Sequence, residues 1–211
     1  MNPEGPMQAL LLVDIQNDFC PGGALAVGEA DQVVAPANRL ANHFDLVVAT
    51  QDWHPADHGS FAANHPGRQP GEMIDLHGIT QILWPVHCVE NTPGTEFHPA
   101  LDTSHFADVF RKGVDSRIDS YSGFFDNDHH SATGLAEFLK ERGVDEVVIC
   151  GLATDYCVKF TVLDALAAGF AVTVVTDACR GVNLQPDGSA KALVAMVEAG
   201  ARLATSSELL A

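Results

Sequence analysis

Residues 146–157 read Glu-Val-Val-Ile-Cys-Gly-Leu-Ala-Thr-Asp-Tyr-Cys. The apolar run 147–150 predicts a buried β-strand, and the residues from Asp155 to about Ala168 predict a helix that follows it closely. Cys157 would then lie in the first turn of that helix, where the helix dipole favours a negative charge. Because this placement favours the thiolate, we expect a lowered pKa and a nucleophilic cysteine.

The same strand–helix alternation continues along the chain in both directions. Apolar runs without polar alternation are typical of strands that are covered on both faces, and strands joined through helices form parallel sheets. We therefore predict one α/β domain over residues 1–211, with three α/β/α layers around a mainly parallel sheet. Strands are predicted at 9–13, 46–49, 109–111, 146–150, 170–175 and 202–204, and helices at 29–43, 134–141, 155–168 and 188–199.

Composition and charge exclude several classes of protein. The chain has 211 residues, a net charge of −17 and 46% hydrophobic residues, which is typical of a globular protein with an acidic surface. Such a surface repels nucleic acid and anionic membranes, so neither is an expected partner. An odd count of 5 cysteines and an N-terminus without a basic region predict a protein of the reducing cytoplasm. A homo-oligomer is compatible with these data.

Residues 52–108 form the one long stretch with little periodicity, and they are rich in Pro, Gly, His and Asn. A loop of this length inside a compact domain is usually functional. In parallel sheets, ligands bind beyond the carboxyl ends of the strands. Asp14, Asp52, Lys112 and Cys157 all lie at or just after predicted strand ends, so we expect them to converge on one crevice.

Asp14, Lys112 and Cys157 have the chemistry of a cysteine nucleophile with its supporting groups. A thiol at neutral pH needs a proton acceptor or a nearby cation, and Asp14 and Lys112 could supply them. Taken one at a time, Asp14 could also be a strand-end cap and Lys112 a surface lysine. Their shared position at strand ends favours the catalytic interpretation.

A second set of residues has the chemistry of a metal site. Asp52 and His54 are two residues apart, so in an extended segment they point to the same side, and His87 is the natural third ligand. One carboxylate and two imidazoles suit Zn²⁺, Fe²⁺ or Mn²⁺. His58 or Ser60 could add a fourth ligand. The alternative is that these histidines are merely exposed loop residues.

Three aromatic residues, Phe19, Trp84 and Tyr121, could enclose a flat ring, although spacing alone favours ordinary core packing.

Six stretches together resemble the nicotinamidase (pyrazinamidase) family within the isochorismatase-like cysteine hydrolases. The Asp, Lys and Cys motifs are shared by the whole superfamily, whereas Asp-Trp-His and Trp-Pro-x-His-Cys are specific to the metal-containing nicotinamidases. The matching stretches, in family order, are residues 11–19, 50–55, 84–89, 111–113, 121–124 and 151–158.

The resemblance implies hydrolysis of nicotinamide to nicotinate and ammonia through a thioester, in NAD salvage, with pyrazinamide as a further substrate. It implies a cis peptide between Leu152 and Ala153, and an oxyanion hole from the backbone N–H groups of Ala153 and Cys157. It also implies three sets of side chains: the catalytic Asp14, Lys112 and Cys157; the ligands Asp52, His54 and His87 of one divalent transition metal ion (Zn²⁺, Fe²⁺ or Mn²⁺) that binds the pyridine nitrogen; and the ring pocket of Phe19, Trp84 and Tyr121.

Three other interpretations stay open at this point. A hydrolase of the same superfamily could act on a different small amide or a carbamoyl substrate. A metal-binding or redox-sensing domain could have kept the fold without the activity. A metallohydrolase could use the metal for chemistry and keep Cys157 as a structural residue.

Overall fold

The computed structural model describes residues 6–211, and its centre is a six-stranded sheet in the order β5-β2-β1-β6-β7-β8. Every neighbouring pair in this sheet is parallel, and helices flank it, as the apolar runs predict. The strands are β1 (Gln8–Val13), β2 (Val47–Asp52), β3 (Met73–Leu76), β4 (Ile79–Ile82), β5 (Phe106–Lys112), β6 (Glu146–Leu152), β7 (Ala171–Arg180) and β8 (Arg202–Ala204). The helices are α1 (Val34–Ala41), α2 (Leu135–Glu141), α3 (Lys159–Ala167), α4 (Gly188–Glu198) and α5 (Ser206–Leu209).

The strand order places a topological switch point between β1 and β6. From β1 the chain builds the sheet outward through β2 to β5, and it then returns to the other side of β1 to form β6. A crevice opens where the connections of two such strands diverge. Asp14 follows β1 and Cys157 follows β6, so both lie at this crevice.

The central strands are buried because their sequences are apolar on both faces. Residues 9–13 of β1 and 147–150 of β6 are at most 1% exposed. The two strands approach closely at Gly151, which has a φ of 127° and whose hydrogen faces the backbone of Val13. A side chain at this position would meet that backbone, so glycine is required there.

The long segment 52–108 is more ordered than the sequence analysis predicts. It contains an antiparallel hairpin of β3 and β4. The connecting residues His77 and Gly78 both have positive φ, 53° and 91°, as a two-residue hairpin turn requires, and Asp75 accepts a hydrogen bond from the Gly78 N–H. A His-Gly pair between short apolar runs is a hairpin signal that the low periodicity of the whole segment obscures.

Several predicted bounds also differ from the structure. The helix predicted at 29–43 begins as a 3₁₀ turn at Ala30–Val33 and continues as α1. The helix predicted from Asp155 begins as a π-helical turn, Thr154–Val158, before α3. Strand β5 begins at Phe106, and β7 continues to Arg180. Across residues 6–211, no helix is both long and apolar enough to span a membrane.

Candidate active site and metal centre

The ammonium group of Lys112 lies at the centre of the site. Its Nζ is 2.9 Å from Asp14 Oδ2, contacts Asp52 Oδ1, donates to the Ser120 carbonyl at 2.9 Å, and lies 3.4 Å from Cys157 Sγ. The lysine is 2% exposed, so it is not the surface residue that the alternative interpretation allows. It joins side chains from four strand ends into one buried cluster.

One carboxylate oxygen of Asp14 accepts a hydrogen bond, whereas the other has no hydrogen-bond donor aligned with it. Thr50 Oγ1 donates to its Oδ1 at 2.6 Å. Its buried Oδ2 faces the Lys112 ammonium but makes no aligned hydrogen bond. A carboxylate oxygen of Asp14 lies within 4.8 Å of Cys157 Sγ. Oδ2 therefore has lone pairs that no aligned donor uses.

The pKa of Cys157 differs from the sequence-based expectation. Burial raises the pKa of this thiol well above its usual value, and the nearby Lys112 ammonium only partly opposes that effect. The predicted lowering by the helix dipole is therefore wrong for the free protein, because loss of water outweighs it. Burial also raises the pKa of Asp14, against the opposing effect of Lys112. Both shifts favour the uncharged forms of Cys157 and Asp14, because burial removes the water that would stabilise their charges.

Asp52, His54 and His87 bring three metal-type donor atoms to one point. The Nε2 atoms of His54 and His87 lie 3.5 Å and 3.9 Å from Asp52 Oδ2. Donor atoms on a tetrahedral ion with bonds of about 2.1 Å would be about 3.4 Å apart. All three side chains are buried, so the alternative of merely exposed loop histidines does not hold.

Backbone carbonyls orient both imidazoles toward Asp52. His54 Nδ1 lies 2.9 Å from the Gly113 carbonyl, and His87 Nδ1 lies 2.7 Å from the Pro85 carbonyl. Each Nδ1 then donates a proton to its carbonyl, so Nε2 is the atom through which each ring in its neutral form can bind a metal ion. Burial lowers the pKa of His87 to about 4, which keeps this ring neutral. The donor set fits a divalent transition metal ion.

The two candidates for a fourth ligand, His58 and Ser60, hydrogen-bond to each other, and His58 is not in the donor group of Asp52, His54 and His87. His58 Nδ1 is 2.7 Å from Ser60 Oγ, and its Nε2 is 3.3 Å from the Ile118 carbonyl. With both ring nitrogens engaged, His58 has no free lone pair in this conformation. A nitrogen of His58 does lie within 4.8 Å of donor atoms of His54 and Asp119, which form a neighbouring group.

A narrow pocket with a cavity volume of about 30 Å³ opens beside Cys157, Asp52 and His87. Phe19, Trp84 and Tyr121 all line it, as the sequence analysis predicts for a ring pocket. Trp84 and Tyr121 meet edge to face at 6.5 Å, and the Trp84 N–H donates to the Tyr121 hydroxyl at 3.1 Å.

Sequence reasoning missed part of the pocket wall. Tyr156, Asp119, Leu25 and Val182 also line the pocket. Tyr156 directly precedes the predicted nucleophile, so its position was the one available signal. The other three come from loops that only the tertiary structure brings together.

The turn between β6 and Cys157 contains the predicted non-proline cis peptide, between Leu152 and Ala153. Ala153 lines the pocket together with Cys157. Both residues therefore border the space in front of Cys157 Sγ.

Comparison with known proteins agrees with this geometry. The Isochorismatase domain family profile matches residues 8–208. The chain is 53% identical to the nicotinamidase of Escherichia coli (strain K12) over 204 residues, which cover 95% of both proteins. A solved Acinetobacter baumanii nicotinamidase pyrazinamidase has a TM-score of 0.94 and 48% identity, with 98% of this chain and 99% of that one covered.

A third relative was solved with a metal. The pyrazinamidase of Pyrococcus horikoshii in complex with zinc has a TM-score of 0.79 and 38% identity, with 95% of this chain and 99% of that one covered. The family profile and the high identity over nearly the whole length lead to one assignment. The chain belongs to the Isochorismatase domain family and, within that family, to the nicotinamidases.

Proposed function

We propose that this protein is a metal-dependent cysteine amidase that hydrolyses nicotinamide to nicotinate and ammonia. The observation that carries the proposal is the position of Lys112 Nζ, which touches Cys157, Asp14 and the metal-type ligand Asp52 at one pocket. Nucleophile, proton acceptor and metal ligand therefore act on the same small molecule. The 53% identity to a nicotinamidase supports this substrate.

In the first half of the reaction, Cys157 attacks the amide carbon. The Sγ–H proton passes to Asp14 as Sγ bonds to the carbonyl carbon, and Lys112 stabilises the charge on both groups. The carbonyl oxygen becomes negative and accepts hydrogen bonds from the backbone N–H groups of Ala153 and Cys157. Removing one such donor in a comparable site costs about 3 kcal/mol.

In the second half, the C–N bond breaks and the acid is released. Asp14 returns its proton to the leaving nitrogen, which departs as ammonia, and a thioester to Cys157 remains. Asp14 then takes a proton from a water molecule whose oxygen attacks the thioester carbon. The C–S bond breaks, the thiol regains the proton from Asp14, and the nicotinic acid that forms releases its own proton to solvent and leaves as nicotinate. Each turnover consumes one water and one nicotinamide.

Asp52, His54 and His87 would hold the metal ion next to this machinery. When bound, the ion supplies a Lewis acid that binds the pyridine nitrogen and so orients the ring. Phe19, Trp84 and Tyr121 would enclose the ring while Cys157 meets the amide. The chemistry of the donor set allows Zn²⁺, Fe²⁺ or Mn²⁺.

We further propose pyrazinamide as a second substrate, because a relative with a TM-score of 0.94 is described as both nicotinamidase and pyrazinamidase. The reaction would serve NAD salvage in the cytoplasm, and residues 1–211 would act as one hydrolase domain. The 5 cysteines are all free, which is compatible with a reducing compartment.

The test of the function is an ammonia-release assay on nicotinamide with metal analysis of the same preparation. We expect release of ammonia, one equivalent of a transition metal, and loss of activity after chelation that added metal restores. Activity on a carbamoyl compound but not on nicotinamide would favour another hydrolase of the superfamily. Metal binding without any hydrolysis would favour a binding domain.

We predict that His87→Ala weakens metal binding at least 100-fold and lowers nicotinamide hydrolysis in parallel, because it removes one of three protein ligands. Metal affinity is measured by competition with a chromophoric chelator. His43→Ala is the control, since His43 is exposed and, among residues 6–211, its side chain hydrogen-bonds only to the Arg39 carbonyl. Unchanged metal affinity in His87→Ala would rule out this ligand set.

A further inference from the structure

Asp52 lies at the end of β2, which extends beyond its pairing with β1. The β1–β2 pairing ends at Leu12 and Ala49, three residues before Asp52. On the other side, the β2–β5 pairing continues to Asp52 and Lys112. The backbone of Asp52 therefore has a strand neighbour toward β5 but none toward β1.

The side chain of Gln16 occupies that vacant strand position. Its Oε1 accepts from the Asp52 N–H at 2.8 Å, and its Nε2 donates to the Asp52 carbonyl at 2.9 Å. Nε2 also donates to the Thr95 carbonyl at 2.9 Å. The amide thus bonds both backbone groups of Asp52, as a neighbouring strand would. Gln16 is fully buried, and its amide donors are both used.

We infer that Gln16 is the positioning residue of the metal centre. It fixes the backbone of Asp52, and that backbone sets the direction of the Asp52 carboxylate, whose Oδ2 faces His54 and His87 and whose Oδ1 meets Lys112. The inference rests on the proposed metal site. Replacing a residue that orients a metal ligand in this way typically weakens metal binding by about 10–100-fold.

Gln51 provides a matched control within the same region. It is also buried, and its Nε2 also donates to the Thr95 carbonyl, at 2.8 Å. It makes no hydrogen bond to Asp52 among residues 6–211. Replacing either glutamine with methionine removes an amide of similar size from the same carbonyl. Only Gln16→Met also removes the two hydrogen bonds that hold the backbone of Asp52, the predicted metal ligand.

The experiment measures metal affinity of the metal-free wild type, Gln16→Met and Gln51→Met by competition of Zn²⁺ with a chromophoric chelator. Thermal unfolding of the three metal-free proteins is measured alongside. We expect Gln16→Met to bind Zn²⁺ at least tenfold more weakly than Gln51→Met, while the two metal-free variants unfold at similar temperatures. Equal Zn²⁺ affinity of the two variants would overturn the inference.

A second variant covers the case in which Gln16→Met does not fold. Gln16→Asn keeps the amide but is one methylene shorter, so it cannot bond both groups of Asp52, and the same loss of affinity is expected. Failure of both variants to fold while Gln51→Met folds would also overturn the inference, because Gln16 would then maintain the fold. Absence of Zn²⁺ binding by the wild type would contradict the proposed metal site itself.

Discussion

Cys157→Ala is expected to lower kcat for nicotinamide hydrolysis by at least about 10⁴-fold, because the proposed reaction uses Cys157 Sγ as its nucleophile. Among the cysteines of residues 6–211, Cys157 is the one that lines the pocket. Its Sγ lies 3.4 Å from Lys112 Nζ and near the carboxylate of Asp14. Ammonia release under saturating nicotinamide measures the loss.

The matched control is Cys150→Ala, which removes the same atom from a fully buried position on β6. It should retain hydrolysis, and both variants should retain the metal, since Cys157 is not among the Asp52, His54 and His87 donor group. Near-normal hydrolysis by Cys157→Ala together with sensitivity to chelation would favour a metallohydrolase with a structural cysteine.

Lys112→Met is expected to lower both activity and stability. The substitution leaves the carboxylates of Asp14 and Asp52 buried without their shared cation. Removing one partner of a buried ion pair typically costs about 3–5 kcal/mol of unfolding free energy. Denaturant unfolding of the metal-free protein at pH 7 measures this loss, and hydrolysis should fall with it because Cys157 loses its cationic neighbour.

The loss of stability in Lys112→Met should depend on pH in a defined direction. Burial already raises the pKa of Asp14, and Lys112 helps hold the pKa of Asp52 below its usual range. Without the lysine, the folded-state pKa of each carboxyl is higher than in the wild type, because burial is then less opposed. A group with a raised folded pKa destabilises the fold as pH increases. The deficit relative to wild type should therefore be smaller near pH 4 than at pH 8.

Lys140→Met is the control for this series, because Lys140 is exposed on α2. Its unfolding free energy should match the wild type within about 0.5 kcal/mol at each pH. A deficit in Lys112→Met that grows as pH falls would contradict the assignment of Asp14 and Asp52 as the groups that lose their cation.

The sequence predicts the sheet and the strand-end positions well, because these depend on local properties. Apolar runs such as 147–150 identify buried strands, and the carboxyl ends of parallel strands share one edge of a sheet. Asp14, Asp52, Lys112 and Cys157 can therefore be predicted to meet without coordinates. The hairpin of β3 and β4 was missed because its two-residue turn is a weak signal within a long irregular segment.

The pKa of Cys157 shows where sequence reasoning stops. Its position at the start of a helix predicts a lowered pKa, but the structure buries the thiol, and burial raises the pKa. Burial depends on the loops that cover the crevice, and these are brought together from distant parts of the chain. The same holds for Asp119 and Val182 in the pocket wall.

Periodicity and residue type thus determined the fold class, the edge of the sheet that carries the site, and the chemistry of its side chains. The tertiary structure decided how these groups act together. Lys112 contacts Asp14, Cys157 and Asp52 at once. Beyond the end of β1, the Gln16 side chain hydrogen-bonds to the backbone of Asp52. These couplings join residues between 36 positions (Gln16 and Asp52) and 98 positions (Asp14 and Lys112) apart, so they depend on distances and desolvation that local sequence patterns do not encode.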